Sequence, residues 1–377
     1  MIEHLNLFLF VMTVVYVVLV LYMRYGWTKL SYFVPLKAEP KTKVSVIIAA
    51  RNEQENISKT LDCIVKQDYP SELIEIIVVD DHSTDQTAAI VRTYENRGVK
   101  LIQLNEGDKL NSYKKLAIDR AINCSSGDVI VTTDADCRMG ESWLSTIMLF
   151  MEQQHKSMVS SPVSYHEEKS YFERLQTLEF LYLIGLGAAG IGNGNPTTCN
   201  GANLAYRKSL FFEMGGFKGI DELASGDDEL LLHKVAASNP KQIGFCKSRE
   251  AVVYTDAKEN LSAFISQRRR WASKSTKYKD KKVVVLGICI WLFNLAYVLS
   301  LLLCCFYPQD GLGLLGISIL LKFLIELFFL YPIVTFINRK ELLFHLPLLT
   351  IVHSLYLVYI GLMGNIGKYD WKGRSVK

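Results

Sequence analysis

The sequence predicts an α/β domain on a parallel sheet, flanked by membrane-spanning helices. Three observations predict it. Short β-branched apolar runs alternate with stretches of helical spacing between residues 44 and 163. Both flanks of that region hold long stretches almost free of charge. Polar and acidic residues follow directly on several apolar runs, where open α/β sheets place their ligands.

The elements read as follows. Val44–Ala50 (VSVIIAA) is a buried strand, and Glu53–Gln67 a helix with Ile57, Leu61, Ile64 and Val65 on one face. Ile74–Asp80 is the second strand, 84–96 a helix, and Val99–Leu104 the third strand. A helix over Lys114–Cys124 precedes the fourth strand at 128–133. Trp143–Gln153 is helical again, and Met158–Val163 is a fifth strand. Such alternation marks βαβ units.

The chain has 377 residues, 50% hydrophobic and 21% charged, which excludes disorder and collagen. Only Glu3 is charged among residues 1–23, and charge is sparse again from 283 to 366. The net charge of +4, with no domain-wide basic stripe, does not indicate nucleic acid. The eight cysteines form no C-x-x-C pair and no zinc spacing. They read as reduced residues, placing the soluble part in a reducing, cytoplasmic compartment.

Leu5–Met23 is uncharged and lacks a cleavage site, so residues 1–25 read as a retained anchor. Arg24, Lys29, Lys37, Lys41 and Lys43 follow it and place that end in the cytoplasm. Val283–Phe306 is a second span, preceded by Lys277, Lys279, Lys281 and Lys282. Gly311–Ile337 is apolar except for Lys322 and Glu326, four apart, which read as a mutually neutralised pair on a buried face. An interfacial helix or a contact with substrate is the alternative. Phe344–Ile366 is a further apolar stretch, so 283–366 holds two or three spans. Three would leave the C-terminus outside, whereas the basic tail 367–377 (Lys368, Lys372, Arg374, Lys377) argues that it lies inside. One segment is then re-entrant or interfacial. Leu175–Gly190 is also apolar but short, and reads as an interfacial or core helix.

Polar clusters follow the strands. Arg51-Asn52-Glu53 follows the first, and Asp80-Asp81 close the second. Ser83 and Asp85 beyond them suit helix capping. Asp134 and Asp136 close the fourth strand. Two carboxylates two apart at a strand end can address one hard divalent cation, although a lone D-x-D often merely caps a turn. Asp227-Asp228-Glu229 open an apolar helix, more acid than a helix dipole requires. A crowded carboxylate there can act as a base. Gln267-Arg268-Arg269-Arg270-Trp271 precedes the second span. It is either a basic membrane border or a clamp for a diphosphate. No G-x-G-x-x-G follows the first strand and no P-loop is present, so nicotinamide and P-loop chemistry are disfavoured.

The order AARNE, DD, DAD, GDDEL and QRRRW, followed by apolar spans, resembles membrane-integrated glycosyltransferase family 2. That branch includes cellulose, hyaluronan and poly-N-acetylglucosamine synthases and ceramide glucosyltransferase. The resemblance covers residues 40–275. It implies a cytoplasmic domain of the GT-A nucleotide-diphospho-sugar transferase fold in an integral protein of the cell inner membrane. It also implies a UDP-sugar donor, with Mg²⁺ or Mn²⁺ held by Asp134 and Asp136. Arg51, Glu53, Asp80 and Asp81 match the nucleotide loops, and Lys114 or Lys115 a lysine near the diphosphate. Asn203, in the segment Cys199–Asn203, matches the sugar pocket, and Gln267, Arg270 and Trp271 the Q-x-x-R-W box. Asp228 matches the base, with Asp227 in the position of the family's Glu, so either acid is a candidate. The resemblance further implies single displacement with inversion onto a lipid or a growing glycan, at a membrane surface. A processive synthase and a non-catalytic sugar-binding protein are the alternatives.

Overall fold

The computed structural model describes residues 2–35, 40–105, 112–223, 225–274, 278, 281–307, 312–364, 369–371 and 374–376. Lys37, Lys277, Lys279, Lys368, Lys372 and Lys377, with the stretch ends Gly311 and Ile366, lie outside the described residues. The chain forms two compact units. One holds Met1–Thr28, Glu168–Ala189 and Lys258–Tyr369, and the other Lys29–Glu167, Gly190–Ala257 and Asp370–Lys377.

Helix α1 (Ile2–Lys29) opens the helical unit, and the α/β unit follows. Its first half is β1 (Val44–Ala50), α2 (Ile57–Ile64), β2 (Ile74–Asp80), α3 (Thr87–Arg92), β3 (Val99–Gln103), α4 (Tyr113–Cys124) and β4 (Val129–Asp134). These strands pair in parallel in the order β3-β2-β1-β4. β1 lies between two neighbours and is buried along nearly its whole length. That double burial is why it reads as a continuous apolar run without alternation.

The second half departs from a purely parallel sheet. After β5 (Arg138–Met139) and α5 (Trp143–Gln153), the expected strand Met158–Val163 divides into β6 (Met158–Ser160) and β7 (Val163–Tyr165). Ser161 and Pro162 separate them. Proline has no N–H to give a ladder, while Pro162 O accepts from Val253 N and from the Asn203 amide. Helix α6 (Tyr171–Gly192) returns to the helical unit. Then follow β8 (Leu204–Arg207), α7 (Lys208–Glu213), α8 (Glu229–Ser238), β9 (Ile243–Phe245) and β10 (Val253–Thr255). The large sheet reads β3-β2-β1-β4-β8-β6-β9, with β8 antiparallel to both neighbours. A small sheet reads β5-β10-β7. Two expected helices are shorter than their periodicity, because residues 51–56 and 84–86 are spent on loops.

The helical unit continues with α9 (Leu261–Ala272), α10 (Lys281–Phe306), α11 (Leu312–Phe336) and α12 (Leu346–Met363). Among the described residues, five helical stretches are long and apolar enough to cross a membrane: Glu3–Lys29, Tyr171–Gly192, Val283–Phe306, Gly313–Phe336 and Lys340–Met363. The mutually neutralised pair is present. Lys322 and Glu326 are 1% and 4% exposed, and Lys322 Nζ donates to Glu326 Oε1 at 2.6 Å and to Thr350 O at 2.9 Å. Thr350 and Tyr16 hydroxyls donate to the same carboxylate. A buried charge is tolerable when it is paired and its lone pairs are filled, as here.

Candidate active site

Strand register builds the rim. Ala50 stands opposite Asp80, and Ala49 opposite Asp134. The three loops that sequence reading singled out therefore leave the sheet side by side at its carboxyl edge. β8 runs the other way, so the segment before it returns to that edge. Thr132 Oγ1 holds this segment by donating to Gly201 O at 2.8 Å.

The first two loops are stitched together. Arg51 Nη1 donates to the carbonyls of Asp81 and His82 at 2.8 and 2.9 Å. Asn52 N donates to Ser83 Oγ, Glu53 N to Thr87 Oγ1, and Thr84 N to Asn52 Oδ1. Asn52 and His82 take left-handed backbone, with φ of 50° and 54°. Such conformations are uncommon outside glycine and concentrate at functional loops. Asp80 and Asp81 are each 2% exposed. Asp80 accepts from Ser83 N and Gln103 Nε2, and Asp81 Oδ1 lies 2.9 Å from His82 Nδ1. Asp85 stands one residue before the α3 cap position, Gln86, and accepts from Thr87 N. Ser83 instead bridges the two loops.

The acidic centre lies beside β4. Lys114 Nζ donates to Asp134 Oδ1 at 2.7 Å and lies 3.5 Å from Asp227 Oδ2. Burial would lower this ammonium, but Asp134, Asp227 and Asp228 together outweigh burial and hold it well above its usual range. It therefore stays charged. Lys115, its neighbour, is buried and turned away, donating to Leu223 O and Ser225 O. Lys114 faces the carboxylates, whereas Lys115 anchors the chain that leads to them.

Gly226, at φ 84°, makes the turn into Asp227 and Asp228. Asp228 caps α8. Its Oδ1 accepts from Glu229 N at 2.6 Å and its Oδ2 from Gly201 N at 2.8 Å. A Cβ at residue 201 would stand 3.3 Å from that carboxylate, so a glycine lets the backbone come this close. Asp134 ends β4 and Asp136 lies on the turn after it, and both are partly exposed. Their donor set, two hard carboxylates, fits a Mg²⁺- or Mn²⁺-type ion whose other ligands are phosphate and water. Among the described residues no three His, Cys, Asp or Glu side chains converge as a complete protein cage. Cys137 between these acids and β5 is a poor nucleophile, since burial and then the adjacent aspartates push its thiol up.

One expectation changes. Asn203 is fully buried and its amide is spent inside: Nδ2 donates to Pro162 O and Ala251 O, and Oδ1 accepts from Trp143 Nε1. It braces the segment and presents no group to a sugar. The Q-x-x-R-W box lies on α9, in the helical unit. There Arg268, to which the motif assigns no role, is the buried member. It pairs with Glu179 and lies 4.5 Å from the Phe264 ring and 4.2 Å from the Trp271 ring. Arg268 Nη1 also donates to Gln267 Oε1 at 2.8 Å. A second missed feature is His166, just past β7, with Nε2 3.5 Å from Asp256 Oδ1 just past β10. Only the pairing of β7 with β10 brings these two together.

The sheet order and the acids along its carboxyl edge define a nucleotide-sugar transferase type of domain. Residues 45–215 match the family described as glycosyl transferase family 2. That likeness covers the first part of the α/β unit, 171 of the 377 residues. It is 27% identical over 235 residues to "Probable glycosyltransferase YdaM" of Bacillus subtilis, covering 61% of this chain and 54% of that protein. It is 22% identical over 344 residues to 4,4'-diaponeurosporenoate glycosyltransferase of Staphylococcus aureus, covering 88% of each. A mannosyltransferase from Pyrobaculum calidifontis, solved with GDP-Man and Mn²⁺, shares the fold at TM-score 0.58 and 19% identity, over 94% of this chain and 99% of that one. The chain spans about half or less of the length of several curated relatives it matches.

Proposed function

We propose that the protein is an inverting glycosyltransferase that moves a sugar from a UDP-sugar to a membrane-associated acceptor, forming a β-glycosidic bond. The observation that carries this reading is the common rim. Parallel register aligns the loops of Arg51, Asp80–Asp81 and Asp134–Asp136, and the antiparallel β8 brings Gly201 and Asp228 to the same edge. Asp134 and Asp136 hold the divalent ion, which when bound supplies positive charge to the departing diphosphate. The family relation, and the fold shared with a Mn²⁺-bound mannosyltransferase, support this ion.

The chain's own residues do the rest. The loops locked by Arg51 hold the nucleotide, with Asp80, Asp81 and Glu53 lining it. Lys114 gives the diphosphate a cation. Gln267, Arg270 and Trp271 are assigned to the donor through their match to the Q-x-x-R-W box. Asp228 takes the proton from the acceptor hydroxyl, with Asp227 beside it. The hydroxyl attacks from the face opposite the diphosphate, which gives inversion without a covalent intermediate.

A single transfer to a lipid-like acceptor is preferred over polymerisation. One relative aligned over nearly the whole of both chains is named for a discrete acceptor, 4,4'-diaponeurosporenoate. The test incubates purified membranes with a panel of UDP-sugars and Mg²⁺ or Mn²⁺, and measures UDP release with and without lipid extract. Lipid-dependent release and a single-sugar lipid product are expected. A long polymer would overturn single transfer, and no release with any donor would overturn the enzyme. Asp228→Asn keeps a side-chain oxygen for the α8 cap. It is expected to abolish transfer while retaining UDP-sugar binding. Near-wild-type turnover in that variant, with loss in Asp227→Asn, would move the base to Asp227.

A further inference from the structure

We propose that Lys114 is a built-in counter-ion that keeps the divalent metal off Asp134 until a nucleoside diphosphate arrives. This rests on Asp134 and Asp136 as the metal's carboxylates. The Lys114 ammonium donates to Asp134 Oδ1 at 2.7 Å and faces Asp227 Oδ2 at 3.5 Å, with Asp228 also acting on it. One cation thus spans the carboxylate on β4 and the pair ahead of α8. A dication on Asp134 and an ammonium at hydrogen-bonding distance from it repel strongly in a partly desolvated site.

A diphosphate resolves the conflict. It offers acceptor oxygens and negative charge, so the ammonium finds a new partner without leaving the site, and Asp134 is released to the metal. The lysine stem is flexible and its head can move by several ångströms. The helix beneath it is not free to follow, because Lys115 is tied to Leu223 O and Ser225 O. Metal and nucleotide therefore bind as a coupled pair, and the coupling is set by a residue that need not ligate the metal.

The test measures Mn²⁺ binding to the purified full chain in detergent by the electron paramagnetic resonance of free Mn²⁺, with and without UDP. Wild type is expected to bind Mn²⁺ weakly alone, and roughly tenfold or more tighter with UDP. Lys114→Gln is expected to bind Mn²⁺ alone roughly tenfold tighter than wild type, and to lose most of the UDP enhancement. Lys114→Arg keeps the charge and is expected to keep the weak binding; thermal melts of each variant verify folding. If Lys114→Gln binds Mn²⁺ alone no tighter than wild type, while wild type with UDP binds it well, Lys114 is not the counter-ion and the metal site stands. The same conclusion follows if Lys114→Arg matches Lys114→Gln. If wild type with UDP binds no Mn²⁺, the reading of Asp134 and Asp136 falls, and this proposal with it.

Discussion

At the scale of single residues, neighbours in sequence do unlike work. Lys114 and Lys115 are adjacent on α4, yet one faces three carboxylates and the other two backbone carbonyls. Asn203 shows the converse. It stands in a segment where a sugar contact was expected, but its amide satisfies Trp143 Nε1 and two buried carbonyls. Asn203→Ala leaves those groups unpaired and is expected to cost about 3 kcal/mol. A thermal melt checks it, and an unshifted melting temperature with impaired transfer would return Asn203 to the sugar. Glu75 is a pH-sensitive residue of the sheet. Burial raises its carboxyl, but Lys100, Ser45 Oγ and Ser126 N outweigh burial and bring it down to about 2. A depressed carboxyl stabilises the fold above its ordinary value near 4.5, and the gain is lost as pH falls from there toward 2. Glu75→Gln is expected to lose about 3 kcal/mol at pH 7 and almost nothing at pH 2. Parallel stability curves for the two proteins between pH 2 and 7 would refute this.

At the scale of elements, α9 is fastened by Arg268. Its guanidinium pairs with Glu179 on α6, Tyr356 on α12 donates to the same carboxylate, and Phe264 and Trp271 flank the cation. Arg268→Met strands a buried carboxylate, and a loss of about 3–5 kcal/mol is expected. Pairing it with Glu179→Leu should recover much of that loss in a double-mutant cycle of unfolding. Strict additivity would show that the pair is not coupled. Most elements of the α/β unit were legible because their cause is local. β1, β2, β4 and α5 follow from apolar runs and period. The division of Met158–Val163 was less legible, because Ser161-Pro162 redirects the chain into a second sheet where it meets β10. β5, β9 and β10 are two or three residues long and carry no period of their own. The acids at strand ends were legible from position alone. That Arg268, and not only Gln267, Arg270 and Trp271, matters to the box was not, because its partners lie about ninety residues away on two other helices.

At the scale of the whole molecule, strand pairing constrains the membrane path. α6 is long and apolar enough to cross, yet β6 before it and β8 after it pair in one sheet. Its two ends are therefore expected on one side of a membrane. Asp370–Lys377 likewise belongs to the α/β unit, so α10, α11 and α12 are expected to make an even number of crossings. Cysteines placed at Glu167, Asn195 and Ser375 in a cysteine-free background should all react with an impermeant maleimide from the same face of sealed vesicles. Protection of the Ser375 site alone would show that all three helices cross. By the basic borders after α1, the reactive face is expected to be the cytoplasmic one.

Local pattern was enough to establish the α/β class, the apolar helices and the acids that end the strands. Each depends on a period of two or 3.6, or on the rule that ligands sit where parallel strands end. Tertiary structure alone decided which lysine faces the acids, that Asn203 braces the interior, that Arg268 is buried, and that β8 turns back to carry Gly201 to Asp228. Those outcomes depend on which distant segments close on one another, and periodicity encodes the face a residue presents but not the partner it meets.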